Sequence, residues 1–230
     1  MSEQFAPMRI VDLPATRQGH RVMKRAIDLS IAIPLLIIAG PLMLLIAVLV
    51  RATSRGPAIF KQRRVGLNGD LFMCYKFRSM VADADAQVHK DYVMAYATGQ
   101  LDVSRIARGR RNPRYKLTND NRVTPLGKFL RRSSLDEMPQ LFNVLKGEMS
   151  IVGPRPDVPY SVELYKDWHR IRLEVKPGIT GLWQVTGRSR VTFEEMMQLD
   201  VEYVLDPSIW NDIKILVVTI PAVLLARGAV

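Results

Sequence analysis

Residues 31–50, IAIPLLIIAGPLMLLIAVLV, contain no charge. At about 1.5 Å per residue, a helix of that length reaches across a hydrocarbon core of about 30 Å. This run predicts insertion into a membrane. A core helix of a soluble protein is a poorer match to so uninterrupted an apolar stretch. A cleaved signal peptide also fits worse, because Arg51-Ala52-Thr53-Ser54-Arg55 follows the run where a small-residue cleavage site would stand.

Two details speak against a plain spanning helix. Pro34 and Pro41 each lack an amide hydrogen and obstruct the carbonyl four residues earlier, and Gly40-Pro41 sits at the middle of the run. Arg21, Lys24 and Arg25 precede the run, while Arg51, Arg55, Lys61, Arg63 and Arg64 follow it. Basic flanks on both sides conflict with a single crossing under the positive-inside bias and agree with a segment that enters, breaks near Pro41 and returns. The expectation is a re-entrant helix-break-helix over 21–51, whose freed backbone groups need internal partners or shallow depth. Asp28 lies one turn after Lys24, which fits either an ordinary helix-surface ion pair or an anchor at the membrane entrance formed by Lys24, Arg25 and Asp28. Near the other terminus the apolar stretch from Ile213 to Ala226 is short for a span and is interrupted by Pro221. It reads as an interfacial helix within 207–230, with Trp210 suited to the headgroup level.

The formal net charge of +11 favours anionic partners: nucleic acid, acidic lipid or phosphorylated small molecules. One cysteine, Cys74, excludes an intrachain disulfide, fits a reducing compartment and reads as a small buried side chain. His20, His89 and His169 are scattered, so a metal here would be a hard cation on carboxylate and phosphate oxygens, not zinc. Residues 1–20 read as a loosely ordered tail. Ala58 to Phe77 reads as a β-hairpin about Asn68-Gly69. A helix is expected near Ala82–Tyr96, and the arginines between Arg105 and Arg114 read as a solvated loop. The fold class expected is α/β, mostly helical with a small β-hairpin.

Chemistry concentrates between Lys128 and Pro156, where Asp136 and Glu137 follow Arg131 and Arg132, and Arg155 is held between prolines. One reading of Ser134-Leu135-Asp136-Glu137 is a capping box, with Ser134 at the N-cap and both acids offsetting a helix dipole. Pro139 sits awkwardly in such a helix, and Leu135 and Met138 could draw the acids into a partly buried setting. A helix start beside arginines is also a natural anion site. A carboxylate that attacks a phosphoanhydride forms an acyl phosphate, which keeps much of the transfer potential and can pass the group to a second phosphate. Arginines and a divalent cation would offset the accumulated negative charge.

These residues resemble the bacterial sugar transferase family, the small monotopic polyprenol-phosphate phosphoglycosyl transferases. The likeness runs from Lys24 to Gly228 through ordered motifs: Lys24-Arg25 with Asp28, Lys76-Phe77-Arg78-Ser79-Met80, Ser134 to Gln140, Gly147 to Pro156, Lys176 to Gly181 and Trp183 to Arg188. The resemblance implies that Asp136 attacks the sugar-bearing phosphorus of a UDP-sugar, releasing UMP, and that undecaprenyl phosphate then takes the phosphosugar. It implies Glu137 in the Mg2+ site with Asp136 or in proton handling, Arg131 and Arg155 on phosphates, and Arg188 on the nucleotide sugar. Asp200 and Tyr203 match the family pattern too, as a helix-fixing polar pair or as substrate contacts. The organisation implied is a monotopic protein with a compact cytoplasmic catalytic domain over 52–206, at the bacterial inner membrane, in a minimal catalytic form. The sugar would be glucose or galactose by analogy, and the product would start exopolysaccharide or O-antigen assembly. A homo-oligomer built on membrane-bound protomers is compatible with this reading. The chain departs from the family in having Gly40-Pro41 where a Ser-Pro pair is common.

Two other classes fit the sequence less well. A membrane-tethered nucleic-acid binder would use the +11 charge, but the arginines before Arg114 lack interleaved stacking aromatics and a binding motif, so no nucleic acid is expected. A catalytically idle scaffold of the same fold sits poorly with the presence of both Asp136 and Glu137.

Overall fold

The computed structural model describes residues 16–81, 87–98, 122–186 and 191–224. The fold is mostly helical with two small sheets. Helix α1 (Thr16–Thr53) is followed by β1 (Ile59–Val65), β2 (Leu71–Phe77), α2 (Gln87–Ala97), α3 (Pro125–Arg132), a 3-10 turn (Leu135–Glu137) and α4 (Gln140–Lys146). Then come β3 (Ser150–Val152), α5 (Pro159–Val162), a 3-10 helix (Asp167–Glu174), β4 (Gly178–Thr180), α6 (Leu182–Thr186), α7 (Phe193–Leu205) and α8 (Ile209–Leu224).

The apolar run is one helix. α1 continues through both prolines, so the expected break at Gly40-Pro41 is not an interruption of helical structure. Pro34 and Pro41 are seven residues apart, and both lie on the exposed side. Each removes one hydrogen bond on that side while the opposite side is held by packing: Ala32, Ala39, Met43, Ile46 and Val50 form a buried stripe at helical spacing. Away from the stripe, Ile37, Ile38 and Leu44 are about 70% exposed, at 72, 77 and 68%. The helix also begins earlier than expected, at Thr16, within the segment read as a tail; 1–15 lie outside the described residues.

The hairpin is present in antiparallel register from Ile59↔Phe77 to Val65↔Leu71. Asn68 and Gly69 take the positive φ values, 56° and 84°, that an Asn-Gly turn supplies at little steric cost. Cys74 is buried in β2, as read from sequence, and burial pushes its thiol up, away from reactivity. The helix expected at 82–96 is described as α2 from Gln87. The 105–114 segment lies outside the described residues.

The second sheet was not anticipated. β3 and β4 pair in parallel, Ser150↔Gly178 and Val152↔Thr180, and join the two motifs that hold Arg155 and Lys176. A Cβ on Gly178 would meet Gly153 N at 2.1 Å, so this close approach needs glycine. α8 docks through Asp212, Ile215 and Thr219, whose hydroxyl meets that of Thr180 at 2.8 Å. Trp210, Val217 and Ile220 point away and are exposed.

Candidate functional site

Helix α3 starts on Thr124, whose hydroxyl accepts from Gly127 N at 2.9 Å, with Pro125 at the first helical position and Arg131 and Arg132 in the last turn. A Cβ on Gly127 would lie 2.0 Å from Ser79 O. The glycine therefore lets α3 press onto the end of β2, and Arg131 Nε donates to Ser79 Oγ at 2.8 Å.

After α3 the chain turns sharply. Ser134 is left-handed, φ 58°, and its side chain caps nothing. The capping box is thus not formed: an N-cap needs extended backbone, whereas Ser134 acts as the residue after α3, its N–H donating to Arg131 O at 3.3 Å. Asp136 and Glu137 follow on the 3-10 turn. Pro139 precedes α4, with φ −62°, and so escapes a helix interior. Leu135 and Met138 pack against the cluster of Ala39, Met43, Ile46, Val50, Phe77 and Leu130. This confirms that apolar neighbours draw the acids inward: Asp136 is buried. It also seats the turn directly against α1.

Glu137 is gripped from two sides. Arg155 Nη2 donates to its Oε1 at 2.5 Å and Arg155 Nη1 to its Oε2 at 3.1 Å, a bidentate fork. Lys76 Nζ donates to Oε1 at 3.2 Å. The three side chains are 12–17% exposed, so the pairing sits at the edge of the interior, short of full burial. Lys76 belongs to the Lys76-Phe77-Arg78-Ser79-Met80 motif, the same one that supplies Ser79, but nothing in that motif alone marks it as a partner of Glu137. Of the residues expected in the site, Asp136, Glu137 and Arg155 are brought together, Arg131 is tied to the neighbouring Ser79, and Arg188 lies outside the described residues.

Behind Arg155 stands a second cluster. Arg172 donates to Asp157 Oδ2 at 2.8 Å, to Asp200 Oδ2 at 2.5 Å, to the Tyr165 hydroxyl, and to the Arg155 carbonyl at 2.7 Å. Burial would push Asp157 up, but Arg172, the Tyr165 hydroxyl and Arg64 together outweigh it and hold the group below the usual carboxylate range. At Asp200 burial prevails over Arg172 and pushes it up to about 6. Asp200 and Tyr203 do not act as a pair with each other. Tyr203 donates to Asp212 at 2.7 Å and to the Val152 carbonyl at 3.2 Å. On the Lys76 side, His89 Nδ1 and the Tyr160 hydroxyl are 2.5 Å apart. Burial, followed by the nearby Arg64 and Arg122, pushes His89 down to about 4, leaving it neutral.

Lys24, Arg25 and Asp28 lie elsewhere, as fasteners between α1 and the body. Lys24 pairs with Asp212 at 2.7 Å in place of Asp28, and Arg25 donates to the carbonyls of Val144 and Leu145 at 2.5 and 2.8 Å, closing the end of α4. Asp28 Oδ1 accepts from Ser150 Oγ and Ile151 N, each at 2.9 Å. At the other end of α1, Arg78 Nη2 donates to Ser54 O at 2.7 Å.

Among the described residues no group of three or more His, Cys, Asp or Glu is arranged to hold a metal. Mg2+ binds through one or two carboxylates plus substrate phosphates, and Glu137 would have to give up part of its contact with Arg155 or Lys76 to serve as one of them.

Residues 19–226 match the bacterial sugar transferase family. The undecaprenyl-phosphate galactose phosphotransferase of Salmonella typhimurium is 46% identical over 93% of this chain and 43% of its own length. The exopolysaccharide production protein ExoY of Rhizobium meliloti is 41% identical over 94% of this chain and 91% of its own. The UDP-glucose:undecaprenyl-phosphate glucose-1-phosphate transferase of Escherichia coli is 39% identical over 87% and 40%. The chain thus spans less than half the length of two of these relatives and nearly all of the third. A match over nearly the whole chain, together with a relative of the same length, places this protein in the bacterial sugar transferase family.

Proposed function

We propose that this protein is a phosphoglycosyl transferase that moves a hexose 1-phosphate from a UDP-sugar to undecaprenyl phosphate. In the first step a carboxylate oxygen of Asp136 forms a bond to the sugar-bearing phosphorus while the phosphoanhydride bond to UMP breaks, and UMP leaves with the electron pair. In the second, a phosphate oxygen of undecaprenyl phosphate attacks the same phosphorus and the Asp136 carboxylate is released unchanged. One phosphoanhydride replaces another, so no outside energy source is needed.

The observation that carries this reading is the turn itself: a buried Asp136, beside a Glu137 held by Arg155 and Lys76, packed through Leu135 and Met138 onto the apolar helix. Arg155, Lys76 and Arg131 outnumber the two carboxylates and would meet the phosphates of donor and acceptor. Mg2+ would be held by Asp136 and Glu137 together with diphosphate oxygens, and when bound it would neutralise charge developing on the phosphates. The names of the relatives support undecaprenyl phosphate as acceptor and glucose or galactose as the sugar. The name of the full-length relative supports a role in exopolysaccharide production.

The same reading places the protein at the cytoplasmic face of a bacterial inner membrane, with both ends of α1 on one side. Both ends of α1 are fastened to one body, by Lys24, Arg25 and Asp28 at the start and by Arg78 on Ser54 at the finish. A helix crossing the bilayer would pull one of these fastenings into lipid. The exposed apolar faces of α1 and α8 would contact the membrane together. Purified full-length protein offered a panel of UDP-sugars with undecaprenyl phosphate and Mg2+ should release UMP, and protein trapped before the acceptor is added should gain the mass of one hexose phosphate on Asp136. UMP release without any such adduct would remove the covalent route. Cysteine labelling should find the amino terminus on the same side as the hairpin; opposite sides would establish a single crossing.

A further inference from the structure

Away from the Asp136 turn, a cavity of about 210 Å³ lies between the start of α1 and the loop that leads into β4. It shares no lining residue with the Asp136 cluster. Its charged lining is Arg21, Lys24, Arg25 and Lys176 against Asp28 and Glu174. Lys24 is neutralised by Asp212 outside the cavity, which leaves three cations facing two carboxylates.

Arg25 is accounted for by the α4 carbonyls it closes, but Lys176 is not. A Cβ added at Gly147 would lie 3.5 Å from Lys176 Nζ and 3.7 Å from Arg25 Nη2, so the ammonium and the guanidinium share one spot at the end of α4. Yet among the described residues Lys176 makes no hydrogen bond or ion pair, and partial burial followed by the Arg25 charge holds its ammonium below the usual lysine range. Two adjacent cations, Lys176 offset only through space by Asp28, stand at the border of a partly open and mostly apolar space large enough for a phosphate and the first carbons that follow it. The position along α1 says which phosphate. Asp28 lines the cavity, the uncharged run begins at Ile31, and the exposed Ile33 and Leu35 follow within two turns, close enough to meet acyl chains.

We propose that this cavity binds the phosphodiester headgroup of an anionic glycerophospholipid, with Lys176 and Arg25 on its phosphate. A phosphodiester supplies negative charge to a lining in which cations outnumber carboxylates. The bound lipid would hold the start of α1 at the headgroup level, independently of the lipid acceptor that must reach Asp136. The inference rests on the membrane location proposed above and not on the chemistry at Asp136.

The test is thermal-shift titration of the full chain in a neutral detergent with dihexanoyl phosphatidylglycerol, dihexanoyl phosphatidylcholine, inorganic phosphate and farnesyl phosphate. The wild type should be stabilised saturably by the phosphatidylglycerol probe and at least about tenfold more weakly by the others, the scale of one charge-assisted hydrogen bond. Lys176→Gln should weaken the phosphatidylglycerol effect about tenfold, Lys176→Arg should restore most of it, and Asp136→Asn should leave it intact. Unchanged affinity in Lys176→Gln overturns the site. Equal binding of inorganic phosphate or phosphatidylcholine overturns the anionic-lipid assignment, and tighter binding of farnesyl phosphate reassigns the cavity to the acceptor. Loss of phosphatidylglycerol binding in Asp136→Asn would show that the probe had occupied the transfer site instead.

Discussion

Two arginine–carboxylate clusters meet in one residue. The guanidinium of Arg155 grips Glu137, and its carbonyl receives Arg172. The clusters are built from the same groups and differ in how they are closed. Around Arg172 the side chains of Arg172, Asp157 and Asp200 are 1–7% exposed, and one arginine bonds two carboxylates: Arg64 helps to hold Asp157 ionised, while burial leaves Asp200 short of positive charge. Around Glu137 exposure rises to 12–17%, and two cations face one carboxylate. The inner cluster is sealed and fixes the loop of Arg155; the outer one lies at the edge of the interior, where phosphates could reach its cations. A buried ion network is weak evidence of stability gained, but breaking one side of it is costly, whereas an edge cluster can exchange partners.

The largest effect should fall on the outer cluster's neighbour. Asp136→Asn should lower UMP release by about 10⁴-fold or more, as expected when a nucleophile is removed, while membrane association and melting temperature stay near the wild-type values. Full turnover in that variant would reject Asp136 as nucleophile. Next comes the inner cluster. Arg172→Met leaves Asp157 and Asp200 without their cation and should cost about 3 to 5 kcal/mol in urea unfolding; a loss under 1 kcal/mol would show that the network is not the structural member of the pair. Arg155→Lys tests the joint between them. Lysine cannot form the two-pronged contact to Glu137, so kcat/KM should fall by roughly 10- to 100-fold with little change in urea midpoint. A large stability loss without a rate effect would invert the comparison.

The division between the clusters also explains how much could be read in advance. Local chemistry was legible: the Asn68-Gly69 hairpin, the uncharged run within α1, and an inward-drawn Asp136–Glu137 turn between Leu135 and Met138 each depend on residues within a few positions. Contacts spanning long stretches of chain were not. Lys76 reaches Glu137 across 61 positions and Lys24 reaches Asp212 across 188, and nothing in the local pattern distinguishes those lysines from solvated ones. Arg172 sits in Trp168-His169-Arg170-Ile171-Arg172, where an alternating arginine reads as surface. β3 and β4, three residues each, are too short for any periodicity to show. The capping box failed for a different reason: Ser134 had the right spacing to Glu137, but the tight exit from α3 requires a left-handed residue there, which excludes N-cap geometry.

The smallest effect is the share of the pH dependence that the inner cluster contributes. Burial pushes Asp200 up to about 6, above its value in an unfolded chain, despite Arg172. A carboxyl group raised on folding binds its proton more tightly in the native state, so its contribution to stability is complete below the unfolded value and is lost as pH rises through about 6. Between pH 5 and 6.5 the loss from this group should be about 1 kcal/mol, or about 2 to 4 °C in melting temperature for a chain of this size. Asp200→Asn keeps an oxygen for Arg172 but has no proton to lose. The neutral His89 raises stability over the same interval in both proteins, so the readout is the difference between them: the melting temperature of Asp200→Asn should gain about 2 to 4 °C on the wild type's as pH rises from 5 to 6.5. Parallel curves would mean that Arg172 holds Asp200 ionised throughout, and the inner cluster would then be as well supplied with positive charge as the outer one.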